Sequence, residues 1–119
     1  MIQPLRQILI ARAKTGNTIS YQALAAALAL RPPHIIQQLS QALEQTMWED
    51  LAAERPFLAA LVVSKRGTGL PAAGFFDCAQ RTGRLRQTDP QADPQAAANF
   101  HAAELAAALA YWGQTDSLA

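Results

Sequence analysis

Gly16-Asn17-Thr18-Ile19-Ser20-Tyr21-Gln22-Ala23-Leu24-Ala25-Ala26-Ala27 is the stretch on which the fold turns. Gly16 and Asn17 both tolerate the left-handed backbone that closes a helix, so a first helix is expected to stop there. That helix carries Leu5, Ile8 and Leu9 on one face. Ser20 is a strong N-cap residue, and Ile19 and Leu24 have the spacing of a hydrophobic staple around it. Tyr21, Leu24, Ala25 and Leu28 follow at i, i+3, i+4 and i+7, which predicts a short second helix over residues 21–29.

Moving outward, Arg31-Pro32-Pro33 breaks the second helix, and Pro33 suits the first turn of a third. Ile35, Ile36, Leu39, Ala42 and Leu43 supply its apolar face; His34, Gln37, Gln38, Gln41 and Gln45 make the other face polar and uncharged. Residues 47–54 extend the helix until Arg55-Pro56 stops it. The apolar run 58–64, with adjacent valines, reads as a buried strand, and 65–69 as a turn. Residues 70–76 read as a poorer second strand, weakened by Pro71, or else Phe75 opens a short helix closed by Gly83. Residues 84–92 read as loop. Asp93-Pro94 then starts a last helix that ends near Gly113 and buries Leu105, Leu109 and Trp112.

Three helices followed by strand, turn and strand is the order of a winged helix-turn-helix. The expected fold is therefore α+β and mostly helical. A winged-helix unit with a β-hairpin wing spans residues 1–86. A linker and C-terminal helix over 87–119 pack on it or on a partner, in one domain overall. The 119 residues and 12.8 kDa leave little room for a second domain. Half of the residues are apolar, 26 are Ala and only 16% are charged, which excludes collagen-like, coiled-coil and disordered classes. Cys78 is the one cysteine, so no internal disulfide is implied. The first residues lack a signal-peptide pattern, no apolar run reaches the ~20 residues of a membrane span, and a cytoplasmic protein is expected.

Charge is uneven along the chain although the net value is only +1. Residues 1–46 carry Arg6, Arg12, Lys14 and Arg31 against Glu44, and residues 57–86 carry Lys65, Arg66, Arg81, Arg84 and Arg86 against Asp77. The remaining acidic residues lie mostly between these blocks and in the tail. A basic body with an acidic tail fits a polyanion binder; interspersed charge kept for solubility fits equally. The third helix is the one a winged helix offers to the major groove, and Gln can bond adenine in a bidentate way. Tyr21, His34, Gln37, Gln38 and Gln41 are thus the candidate groove-facing residues, with Arg31, Lys65 and Arg66 on phosphates. The bland alternative is a solvated Gln face and a solvated turn.

The stretch from Gly16 to Ala27, with its Ser-Tyr-Gln-x-Leu-Ala core, resembles the helix-turn-helix of the alkylguanine-DNA alkyltransferases. The likeness continues more loosely through Pro33 and Leu39-Ser40-Gln41-Ala42-Leu43, covering about a quarter of the chain well and half loosely. It implies that Tyr21 approaches a DNA phosphate; packing on the core at the first helical turn is the alternative for the same residue. The departures are specific. The family's recognition-helix arginine, which fills the gap left by a flipped base, is replaced by Ile36 or Gln37. Its reactive Pro-Cys-His-Arg segment is replaced by Ala59-Ala60-Leu61-Val62-Val63-Ser64-Lys65, and residues 46–56 look inserted. Alkyl transfer is not expected.

No other chemistry is legible. Cys78 follows Phe75-Phe76-Asp77, an apolar setting that raises a thiol pKa. His34, His101 and Cys78 have no zinc-like spacing, so no metal or cofactor is expected. Glu49-Asp50 is the only adjacent acidic pair, and neighbours on a helix point apart. Two readings follow: a non-enzymatic winged helix that binds double-stranded DNA, or a winged helix used for protein contacts, including a homodimer through the C-terminal helix.

Overall fold

The computed structural model describes residues 2–64, 69–85 and 94–113. Among them are helices α1 (Ile2–Thr15), α2 (Tyr21–Ala27), α3 (Ile35–Ala52), α4 (Ala73–Thr82) and α5 (Pro94–Trp112). A 3-10 turn spans Leu58–Leu61, and the two short strands are β1 (Ile19–Ser20) and β2 (Val62–Val63). The chain is mostly helical with one small sheet.

Helix α1 ends as its sequence predicts. Gly16 takes φ +73°, its N–H bonds the Ala13 carbonyl, and the N–H of Asn17 reaches back to Arg12. This double closure satisfies carbonyls that the end of a helix leaves without partners. Ser20 caps α2, its hydroxyl accepting from the Ala23 N–H at 3.1 Å. Helices α2 and α3 close in the same way as α1, but with Ala29 (φ 54°) and Glu54 (φ 57°) in the left-handed position. Neither is glycine, so both positions carry a steric cost at Cβ.

The sheet differs from the expected wing. Only Val62–Val63 of the run 58–64 is extended, and it pairs in parallel with β1, Ile19 opposite Val62 and Ser20 opposite Val63. Residues 70–76 are not a second strand. Pro71 cannot donate to a ladder, and Phe75, Phe76 and Ala79 share the buried face of α4, which Gly83 closes at φ 86°. The helix beginning near Phe75, the alternative for this stretch, is therefore the one that forms, two residues earlier. The N–H of Ser64 donates to the carbonyl of Leu70 at 2.8 Å. Helix α3 also starts later than Pro33, because His34 adopts φ 60° and cannot continue a right-handed helix.

The core is built around residues 57–62, which are all buried, Ala59 being the most exposed at 2%. Leu5 and Leu9 of α1, Leu24 of α2, Leu39 and Met47 of α3, and Cys78 of α4 close over this segment. Helices α1, α3 and α5 all pack on the 3-10 turn. Helix α5 contributes Ala97, His101 and Ala108 fully, while Leu105, Leu109 and Trp112 are partly buried. Its end lies so close to α1 that a Cβ on Gly113 would sit 2.8 Å from the Ala13 carbonyl oxygen.

Burying an irregular segment leaves backbone groups in need of partners. Side chains supply them. The N–H of Phe57 donates to Glu104 Oε2 at 2.7 Å, and the N–H of Leu58 donates to Asp50 Oδ2 at 3.0 Å. The Ala60 carbonyl accepts from His101 Nε2 at 2.9 Å, which places the imidazole proton on that nitrogen. Asp50, wholly buried, is balanced by two guanidinium groups, Arg6 Nη1 at 3.0 Å and Arg55 Nε at 2.8 Å. Arg6 also donates through Nη2 to Glu49 at 2.9 Å. Glu49 and Asp50, expected to point apart as helix neighbours, instead converge on one guanidinium group, that of Arg6 from α1.

Asp50→Ala takes one of two carboxylates from the largely buried Arg6, removes the partner of Arg55 and leaves the buried Leu58 N–H without its acceptor, and a loss of about 3–5 kcal/mol is expected in chemical denaturation. Glu49→Ala at the rim is expected to cost about 1 kcal/mol or less. Ala29→Gly removes the left-handed strain behind α2 and is expected to raise stability by about 0.5–1 kcal/mol, read as a higher midpoint.

Candidate functional site

The segment between α2 and α3 sets what the start of α3 presents. Leu30 N–H bonds the Ala25 carbonyl and turns the chain away from α2. The Pro32–Pro33 bond is cis. Gln38 then reaches back from α3, its Nε2 donating to the carbonyls of Arg31 at 3.0 Å and Pro33 at 2.8 Å. That side chain is a strut of the turn rather than a free contact group. His34 caps α3 only through its backbone, with no side-chain hydrogen bond, so the first-turn N–H groups of the helix have no side-chain acceptor.

Four of the sequence-derived candidates come together here. Arg31 and His34 are exposed in the turn, and Gln37 and Gln41 are exposed on successive turns of α3. Among the described residues neither Gln37 nor Gln41 has a hydrogen-bond partner. Tyr21 stands apart. It is half-buried, its hydroxyl accepts from the Ala72 N–H at 2.8 Å, and burial pushes its phenol pKa up. This is the core-packing role set against the phosphate contact, and it ties α2 to the start of α4. Lys65 and Arg66 lie outside the described residues.

Two exposed apolar side chains were not legible as surface. Ile36 is 50% exposed at the head of α3 and Trp48 is 43% exposed three turns on. Ile36 counts as core by hydropathy alone. It is also in phase with Leu39, Leu43, Met47 and Asp50, the buried line of α3, but sits in the first turn of the helix, where that line runs out past the core. With Leu30, Ile35, Ala25, Ala26 and Gln22 it lines an open apolar trough between α2 and α3.

The basic excess read from the sequence is largely engaged inside the molecule. Arg6 and Arg55 serve Asp50; Arg84 donates to Glu104 at 2.9 Å and to the Arg55 carbonyl; Arg81 pairs with Glu44 and Asp77, both at 3.0 Å. Arg55 also lies over the Trp112 ring, 5.0 Å from its centroid, and Arg84 over Phe57 at 4.1 Å. These arginines hold the fold. Arg12 and Arg31 are the exposed cations nearest the α2–α3 face, and Arg12 donates to the Thr18 carbonyl.

A small cleft of about 50 Å³ lies under Tyr21, between α3, the 3-10 turn and α4. Ser40 and Glu44 edge it and Met47, Ala59 and Phe75 line it; neither cysteine nor histidine is among its lining residues. Cys78 is buried in α4, and burial, with the Glu44 carboxylate nearby, pushes its thiol up to about 11. No group of three His, Cys, Asp or Glu among the described residues could hold a metal ion. No helix of the described residues is long and apolar enough to cross a membrane.

No protein-family model, curated protein or solved structure matches this chain.

Native protein at pH 8 is expected to react with a thiol reagent about a hundredfold more slowly than unfolded protein, since the thiolate is the reacting form and burial adds to its suppression. Because the folded thiol ionises later than the unfolded one, its contribution to stability is full below about pH 9. It is lost as the pH climbs through about 11. Rapid labelling of native protein at pH 8 would contradict the buried placement.

Proposed function

We propose that this chain is a non-enzymatic duplex-DNA-binding domain that lays the N-terminal half of α3 in the major groove. The observation that carries the proposal is the exposed polar set Arg31, His34, Gln37 and Gln41 at the head of α3, left without internal partners for either glutamine while Gln38 braces the turn behind them. A helix whose first turn lacks a side-chain cap favours an anion at that end, which suits a phosphate beside the groove. Arg31 is the phosphate contact on this side. Lys65 and Arg66, which lie outside the described residues, are the further phosphate contacts expected from the sequence. Catalysis is not part of the proposal, since the sequence has Ala59-Ala60-Leu61-Val62-Val63-Ser64-Lys65 where the resembled family carries its reactive Pro-Cys-His-Arg segment.

A second reading has its own observation. With Arg6, Arg55 and Arg84 engaged internally and Arg81 paired with acids at the surface, the trough edged by Ile36 is an apolar surface suited to a protein contact.

Fluorescence anisotropy with labelled duplex over a salt series decides between them. Duplex binding is expected, with log K falling by about 0.9 per phosphate contact against log salt, and a slope of only a few contacts. Arg31→Ala is expected to lower that slope by about one contact. No binding at low salt overturns the DNA reading and leaves the protein contact.

A further inference from the structure

Resting on the DNA reading above, we propose that α3 reads adenine–thymine steps through their major-groove edges, with Gln37 and Gln41 on adenines and Ile36 on a thymine methyl.

Gln37 and Gln41 are one helical repeat apart, so their stems are separated by about 6 Å along the axis. That matches roughly two base-pair steps of about 3.4 Å each. Both amides are exposed and lack internal partners among the described residues. A side-chain amide offers one donor and one acceptor side by side, the complement of the N6 amino group and N7 of adenine. The other readers are missing from this part of the helix. Guanine is read by Arg or Lys and cytosine by Glu or Asp, and residues 35–41 contain none of these. Glu44, one turn further on, is paired with Arg81 at 3.0 Å.

Ile36 completes the pattern. It precedes Gln37 in the first turn of α3 and is 50% exposed, which leaves apolar surface open at the end of the helix that would enter the groove. The base edge that offers an apolar group there is thymine, through its C5 methyl. Gln38, by contrast, is held by the carbonyls of Arg31 and Pro33 and takes no part in reading. Its bonds fix the angle between the turn and the head of α3, and so the register in which Gln37 and Gln41 arrive.

The test uses the full chain and four duplexes of equal length. Their central steps are A·T, G·C, A·T with uracil for thymine, and A·T with 7-deazaadenine for adenine. The two analogues alter only the major-groove edge, which separates edge reading from the narrow minor groove of A·T tracts. The A·T duplex is expected to bind between about fivefold and a hundredfold more tightly than the G·C duplex. 7-Deazaadenine is expected to remove most of that preference, and Gln37→Ala and Gln41→Ala each to reduce it with an unchanged salt slope. Uracil is expected to weaken the native chain but not Ile36→Ala. Salt-dependent binding that is equal on all four duplexes overturns this proposal and leaves the DNA-binding reading standing. A preference that survives both analogues overturns it in favour of shape reading. No duplex binding at low salt removes both.

Discussion

The chain is organised by the need to satisfy the backbone of a segment that has no water around it. Residues 57–62 run through the core as a 3-10 turn and a short strand, neither of which supplies all its own hydrogen bonds. Asp50 from α3 and Glu104 from α5 accept the N–H groups of Leu58 and Phe57, and His101 donates to Ala60. Unpaired, each such group would cost on the order of 1–3 kcal/mol, comparable to the net stability of a small domain when summed. The partners come from helices on different sides of the segment. Satisfying the backbone therefore also sets where α3 and α5 stand relative to one another.

That solution shapes the electrostatics. A buried carboxylate is tolerable only with cations beside it, and Asp50 and Glu104 draw in Arg6, Arg55 and Arg84. Arg6 is thereby buried and Arg55 and Arg84 are largely covered, all three lying over aromatic faces. The exposed polar face of α3 is consequently almost uncharged, and its character comes from amides. A count of basic residues overstates what this molecule shows to a polyanion.

Local signals in the sequence were sufficient for α1, α2, α3 and α5, and left α4 open between a strand and a helix. Gly16 closes α1, Ser20 caps α2, Gly83 closes α4, and the breaker pair Arg55-Pro56 follows the end of α3; each acts through its own backbone or its near neighbours. The sheet was not legible because its partners are 43 positions apart: Ile19 lies before two helices and Val62 after them. A two-residue strand leaves no alternation to read. Arg6 looked like surface charge because nothing within one turn of it announces Asp50, and Ile36 looked like core because both its hydropathy and its helical phase match the buried line of α3, which ends short of the first turn. Of the proposed interface, the residue types were legible; the withdrawal of Gln38 into the turn and of Tyr21 onto Ala72 was not, since both depend on atoms brought near by folding.

The β1–β2 pairing has a bearing on the order of assembly. It ties residue 19 to residue 62, so α2, the turn and α3 form a closed loop within the chain. During synthesis α3 is complete before either β2, or Arg55 and Leu58, which join Arg6 on Asp50, have left the ribosome. Its amphipathic face can reach its final seat only after about ten more residues emerge, and closing that loop is an entropic step placed late in folding. The outward face of α3 is thus exposed from the start, whereas the angle at which it is held is among the last features the chain acquires.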